Sequence, residues 1–366
     1  MYEPQPILRF PIHKAFELNK QKLDSDGLIE IAYSFIKEGE PYEQDIGHFL
    51  LEWLDSKSFI EVKTSGSTGK PKTIKVLKEH MVNSAKATGE FFKLDSETTV
   101  LLCLSATYIA GKMMLVRAMV LGWKLDCVPP KSNPLDTVYK QYDFCAMVPL
   151  QLDNSINRLH LIKKLIVGGG VISENLKSLV QASKTKIFET YGMTETVSHI
   201  AARRVNAKKR ERKKNIYFKT LPNISIATDE RNCLVINAPL LHDKQLITND
   251  VVELKSYKKF DWKGRYDNVI NSGGVKLFPE AIEAKLQLLI THRFFVSSLP
   301  DAVLGEQLIL IIESAPSETL VSSIKEGIAN ISTLSRYEVP KQIFCIPQFV
   351  ETDTGKIQRA KTVALL

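Results

Sequence analysis

The chain has 366 residues, 44% hydrophobic and 25% charged, a balance that suits globular domains and excludes a disordered or fibrous chain. That length accommodates two domains, each with its own core. A formal net charge of +8 favours anionic ligands, although solubility alone would account for it.

In chain order, the N-terminal stretch MYEPQPILRFPIHKAF has no uninterrupted apolar core, so no signal peptide is expected. Phe59–Lys63 and Thr73–Val76 alternate as strands do. Between them runs TSGSTGKPK, residues 64–72. It departs from the familiar P-loop: a first glycine is replaced by Thr64, and the Ser/Thr after Lys70 is Pro71. Pro71 also turns Lys70 away from helix. Two readings fit, a plain hairpin turn or a phosphate cradle built from glycine backbone, hydroxyls and lysines.

Val100–Leu104 predicts a strand and Gly111–Leu121 a helix. Lys112 and Arg117 interrupt the apolar run 100–123, which argues against a membrane span. Phe144–Val148 and Leu165–Val167 read as strands ending at Pro149 and at Gly168, Gly169 and Gly170. A helix over Glu174–Ala182 follows Ser173 as N-cap. Ile187–Phe188 reads as a strand and ETYGMTET as the loop after it. This rhythm predicts an α/β fold with mostly parallel sheets covered by helices, and ligands outside the carboxyl ends of the strands.

Residues 203–214 hold eight lysines or arginines in twelve positions. They form either a solvated loop or a patch for phosphates. After Val252 the texture shifts to a turn-rich segment, a helix opening at Pro279, strands over Phe294–Leu299 and Gln307–Ile312, a helix over Thr319–Ser332 and an extended Val339–Ile346. This reads as a small α+β C-terminal domain. Five cysteines, at 103, 127, 145, 233 and 345, never form C-x-x-C; reduced thiols in a cytoplasmic protein are expected, without a zinc site or disulfide framework.

Five stretches together carry a resemblance: TSGSTGKPK at 64–72, YGMTET at 191–196, TND at 248–250, GRYDNVINSGGVKLFPEAIE at 264–283 and TGKIQRAK at 354–361. In this order they resemble the adenylate-forming superfamily of acyl- and aryl-CoA ligases, luciferases and carrier-protein adenylation domains. The resemblance implies that a carboxylic acid attacks the α-phosphorus of ATP, releasing pyrophosphate, and that a thiol then displaces AMP. It implies ATP, Mg²⁺ and coenzyme A as reactants or cofactors. It also implies a large domain over 1–266 and a small, mobile domain over 268–366, hinged at Asp267.

By the same resemblance, Thr64, Ser65, Gly66, Ser67, Thr68, Gly69 and Lys70 hold the β- and γ-phosphates. Gly168, Gly169 and Gly170 let adenine and acid lie against backbone. Tyr191, beside Gly192, stacks on adenine; Thr194 meets the α-phosphate; Glu195 holds Mg²⁺, since a carboxylate near phosphates requires a cation between them. Asp250 and Arg265 contact the ribose. Lys356, with Arg359 in the same pattern, bridges the carboxylate and the α-phosphate as a compact point charge. Ser272, Gly273 and Gly274, after Asn271, line the path of the pantetheine thiol; their plain reading is a left-handed turn.

The phosphate loop begins earlier than in most members, which implies a shortened N-terminal region. Tyr108 stands where many relatives have a histidine that orients the substrate. Residues 192–200 are most similar to the o-succinylbenzoate–CoA ligases of menaquinone biosynthesis. Their acid carries two carboxylates, and the one not activated needs a counter-charge, because an unpaired buried carboxylate is costly. Lys112 is the candidate, with packing inside a buried helix as its plain reading; Ser198 and His199 are candidate pocket walls. Three other readings remain: a ligase for another aryl or acyl acid, an enzyme loading a carrier protein, and an inactive nucleotide sensor, against which Lys356, Glu195 and Asp250 argue. A nucleic-acid-binding protein using 203–214 is disfavoured, since that run lacks interleaved aromatics. The expected partners are thus a small acid, ATP and CoA, with no nucleic acid and no stable membrane insertion; self-association is left open.

Overall fold

In a computed structural model, the described residues are 10, 12–63, 73–207, 217–351 and 357–366. A short hairpin, β1 (Glu17–Leu18) and β2 (Gln21–Lys22), leads into two helices, α1 (Ser25–Glu38) and α2 (Pro41–Leu54). Asp24 caps α1 by accepting from Gly27 N at 2.9 Å, and Pro41 opens α2 at the position where a missing N–H costs nothing. Neither helix is among the sequence expectations. β3 (Phe59–Lys63) and β4 (Thr73–Leu77) pair antiparallel from Phe59↔Leu77 to Lys63↔Thr73. The two flanking strands predicted from alternation are therefore present and joined, while residues 64–72 between them lie outside the described residues.

The rest of the large unit is built on one 13-stranded sheet. Helix α3 (Lys78–Phe92) precedes β5 (Thr99–Leu102), α4 (Ile109–Leu121) follows it, and β6 (Lys124–Cys127), β7 (Tyr142–Met147), α5 (Pro149–Asn154), β8 (Ile162–Val167), α6 (Glu174–Leu179) and β9 (Lys186–Gly192) continue the alternation. The pairs β1–β6, β5–β6, β5–β7, β7–β8 and β8–β9 are all parallel. Helix α4 is buried over nearly its whole length, as a helix apolar on all sides must be.

Beyond β9 the expectation of a mostly parallel sheet gives way. β10 (His199–Arg204), β11 (Phe218–Thr220), β12 (Ser225–Thr228), β13 (Cys233–Asn237), β14 (Leu246–Ser256) and β15 (Lys259–Arg265) extend the same sheet in antiparallel pairs. The neighbours β12–β13 and β14–β15 are joined by short turns, which antiparallel pairs allow and parallel ones do not. ETYG, expected as loop, is the end of β9, because β10 pairs with it from Arg204↔Phe188 to His199↔Gly192.

A 3₁₀ turn, Tyr266–Asn268, leads to a second sheet of five strands. It holds β16 (Ile270–Ser272), β17 (Val275–Leu277), β18 (Phe294–Asp301), β19 (Gly305–Glu313) and β20 (Gln342–Ile346), with helices α7 (Pro279–Leu286), α8 (Glu318–Ala329) and α9 (Arg359–Val363). Its apolar core, from Ile270 and Leu277 to Ile324 and Ile328, is separate from the clusters under the large sheet. Pro279 does open α7. Arg359 ties α9 to this lobe by bonding Glu283 at 2.7 Å and the carbonyl of Val296 at 3.0 Å.

Candidate active site

The carboxyl ends of β5, β7, β8 and β9 point to one edge, so the segments after them gather there: 103–108, Val148–Pro149, Gly168–Gly170 and Met193–Ser198. Gly168 N donates to Met147 O at 3.1 Å, fastening the glycine segment to the neighbouring strand end. At Gly192 the close approach is decisive. A Cβ there would stand 2.4 Å from Ser198 O and 2.5 Å from His199 Cα, so only glycine lets β9 and β10 converge behind the Thr194–Thr196 turn. Val197 closes that turn at φ 66°. For a β-branched residue this is a strained conformation, of the kind that collects at functional sites.

Tyr191 lies at the end of β9 and Asp250 on β14. Tyr191 Oη donates to Asp250 Oδ2 at 2.7 Å, and Trp262 Nε1 donates to Oδ1 at 3.0 Å. Burial, then the Asp250 charge, drives the Tyr191 phenol far above its ordinary range, so it remains a donor. Its ring sits edge-on to Phe260 at 5.2 Å. The β14–β15 register sets Arg265 opposite Asp250. The guanidinium stands 3.8 Å from Asp250 and donates to Asp267 at 3.0 Å. Asn249 donates to the same Asp267 carboxylate at 3.1 Å. Tyr191, Asp250, Arg265 and Asp267 thus form one polar chain from the sheet edge to the junction between the two sheets.

Thr194 and Glu195 share one 3₁₀ turn. Glu195 is exposed and makes no hydrogen bond or ion pair with any described residue. On the second lobe, Gly273 and Gly274 have φ of 57° and 79°, and Gly273 N donates to Leu304 O at 2.9 Å. The left-handed turn is therefore real, and a Cβ on Gly274 would meet nothing within 4 Å. Residues 64–70, Lys356 and 208–214 lie outside the described residues.

Tyr108 is exposed at the N-cap of α4. Lys112 is buried, but its ammonium is already committed: Nζ is 3.1 Å from Glu52 Oε2 and 4.7 Å from the Phe49 ring centroid. The Lys112 charge is thus already offset by α2. Arg117, five positions on, is 2% exposed and has no carboxylate partner among the described residues. Its guanidinium donates to Ser198 Oγ at 2.7 Å and to Thr88 Oγ1 at 3.2 Å, and lies 3.4 Å from His199 Nδ1. Burial lowers its pKa to about 9, and burial followed by Arg117's charge holds the His199 imidazole well below its usual value. In the sequence Arg117 reads only as an interruption of an apolar run. A guanidinium in a helix apolar on every side is the signal that marked it. In the basic run, Arg203 is engaged internally, bonding Glu189 at 2.7 Å and lying 4.4 Å over the Phe218 ring. Among the described residues no helix is long and apolar enough to cross a membrane.

The AMP-binding enzyme family matches residues 63–235. A solved structure of an acyl-CoA synthetase (AMP-forming)/AMP-acid ligase II-like protein from Dyadobacter fermentans is 36% identical, covers 92% of this chain and 97% of its own, and superposes with a TM-score of 0.60. The chain belongs to the AMP-binding enzyme family. It is thereby an adenylate-forming ligase of the acyl-CoA class. The chain is also similar to the 2-succinylbenzoate–CoA ligase of Staphylococcus epidermidis, 24% identical over 86% of this chain and 70% of that ligase. The o-succinylbenzoate coenzyme A synthetase of Bacillus subtilis, solved with ATP and magnesium ion, shares the fold at 18% identity and a TM-score of 0.69, over 83% of this chain and 69% of its own.

Proposed function

We propose that this enzyme activates an aromatic acid bearing a second carboxylate, o-succinylbenzoate, to an acyl-adenylate and then to its CoA thioester, releasing pyrophosphate and AMP. The observation that carries the reading is Arg117: a buried guanidinium with hydroxyl, imidazole and thioether neighbours but no carboxylate among the described residues. Burying a charge without an opposite one is costly, and a ligand carboxylate would offset that cost. Arg117 bonds Ser198, four residues from Thr194, so the counter-charge stands next to the turn assigned to the α-phosphate. The 2-succinylbenzoate–CoA ligases among the curated relatives support the same acid.

In this reading one carboxylate of the acid attacks the α-phosphorus, a phosphorus–oxygen bond forms, and the bond to pyrophosphate breaks. The chain's part is alignment and charge neutralisation. Residues 64–70 hold the leaving phosphates, Gly168–Gly170 and Tyr191 receive adenine, Asp250 and Arg265 the ribose, and Thr194 the α-phosphate. Lys356 joins the two anions. Magnesium suits Glu195, an exposed, uncommitted carboxylate, since that ion takes one or two carboxylates with phosphate oxygens and water; when bound it would neutralise phosphate charge. The lobe after Asp267 then turns, and Ser272, Gly273 and Gly274 flank the thiol's path. We divide the domains there, 1–266 and 268–366.

A second reading, a ligase for another aryl or acyl acid, draws on the Dyadobacter relative, whose name specifies no acid. The deciding experiment supplies ATP, CoA and, in parallel, o-succinylbenzoate, benzoate, a fatty acid and an amino acid, with mass detection of the thioester. A thioester from o-succinylbenzoate at the highest kcat/KM is expected; preference for any monoacid removes the reading.

A further inference from the structure

Arg117 is not merely buried; it is mounted. The Thr88 hydroxyl donates to Ser84 O at 2.9 Å, which leaves its oxygen free to accept. It accepts from Arg117 Nε at 3.2 Å and faces His199 Nε2 at 3.5 Å. His199 Nδ1 in turn faces the guanidinium at 3.4 Å and Ser198 Oγ at 3.4 Å. Thr88 and His199 are both buried, and the Phe92 ring lies edge-on to the imidazole at 6.0 Å. One tautomer satisfies this geometry: the proton on Nε2 toward Thr88 and the lone pair on Nδ1 toward Arg117. Two edges of the guanidinium are thereby held by α3 and by the start of β10. Among the described residues the remaining nitrogen, Nη1, meets only the thioether of Met114 at 3.7 Å, a weak acceptor.

We infer that Thr88 and His199 are positioning residues that orient Arg117 toward the second carboxylate of the acid, so that Thr88, outside all five sequence motifs, sets substrate specificity. This rests on the dicarboxylate reading given above. The physical reason is pre-organisation. Arginine carries a long, rotamer-rich stem, and a fork already fixed in place loses less freedom when a carboxylate docks. Without the Thr88 hydroxyl, Nε loses its acceptor in a dry environment and the guanidinium must turn to find another.

The test compares the wild type, Thr88→Val and Thr88→Ser on o-succinylbenzoate and on the monoacid that keeps the activated carboxylate and lacks the other. Thr88→Val is expected to raise KM for the diacid about tenfold, the scale of one lost hydrogen bond to a charge, and to leave KM for the monoacid and for ATP in place. Thr88→Ser, which keeps the hydroxyl, is expected to restore the diacid KM. Should Thr88→Val fail to fold, Thr88→Ala carries the same comparison. Equal effects on diacid, monoacid and ATP, or no effect at all, overturn the inference. Nitrogen NMR of the His199 imidazole near neutral pH judges the mount without turnover. A neutral ring protonated on Nε2 is expected; a cationic ring or an Nδ1 proton overturns it. If the wild type converts no dicarboxylic acid, the substrate reading falls, while the imidazole spectrum still decides whether the mount exists.

Discussion

Tyr191 donates its phenolic proton to Asp250 at 2.7 Å across 59 positions of sequence, and this bond joins the parallel half of the sheet to its antiparallel half. Asp250 is buried, and its two oxygens are divided between Tyr191 and Trp262. Tyr191→Phe leaves one oxygen of a buried carboxylate short of a donor. A loss of about 1–3 kcal/mol in unfolding free energy is expected, read as a lower urea midpoint at unchanged slope. Because Asp250 is the proposed ribose acceptor, KM for ATP should rise in the same variant.

Arg117→Met tests the counter-charge directly. Replacing a buried cation that has no carboxylate partner among the described residues by an apolar side chain is commonly neutral or stabilising, so the thermal midpoint is expected to hold or rise. The KM for o-succinylbenzoate should rise at least tenfold, while KM for ATP stays in place. A variant that is destabilised yet keeps its affinity for the diacid would count against the assignment.

Lys112→Ala separates the two cations on α4. Removing an ammonium paired with Glu52 at 3.1 Å breaks a largely buried ion pair and should destabilise the fold by roughly 1–3 kcal/mol. Under the proposal that Arg117 supplies the counter-charge, the diacid KM of this variant is expected to match the wild type, measured by steady-state kinetics on folded protein.

His199 makes stability depend on pH in a stated direction. Its folded pKa lies well below 6.5, so below that pH the unfolded chain binds a proton that the folded chain refuses. The contribution is fully present above about pH 6.5 and is lost as pH falls toward the folded value, with a slope approaching about 1.4 kcal/mol per pH unit. Urea titrations of the wild type and His199→Gln across this window should differ in slope, the variant being flatter.

Lys356→Ala should suppress acyl-adenylate formation, followed by pyrophosphate exchange, far more than thioester formation from supplied acyl-adenylate. Equal loss in both half-reactions would contradict the role given to this lysine.

What the sequence determined by itself was local or carried by contiguous motifs. Alternation in Phe59–Lys63 and Thr73–Val76 is enough to place strands on both sides of a glycine-and-hydroxyl loop, because each side chain's face follows from its neighbours. Ser173 and Pro279 mark helix starts through their own chemistry, and the structure has both. The five motifs led to the family because their order along the chain is itself information. The tertiary structure decided everything that depends on which distant segments meet. Antiparallel pairing converted ETYG from loop to strand, since β10 supplies partners that no local pattern announces. Glu52, on a helix the sequence did not reveal, claimed Lys112. Arg117 has no carboxylate partner among the described residues because Thr88, Ser198 and His199, none of them charged opposite to it, are the groups that folding brings to its side. A charge's meaning lies in its neighbours and its distance from water, and both are properties of the packed chain.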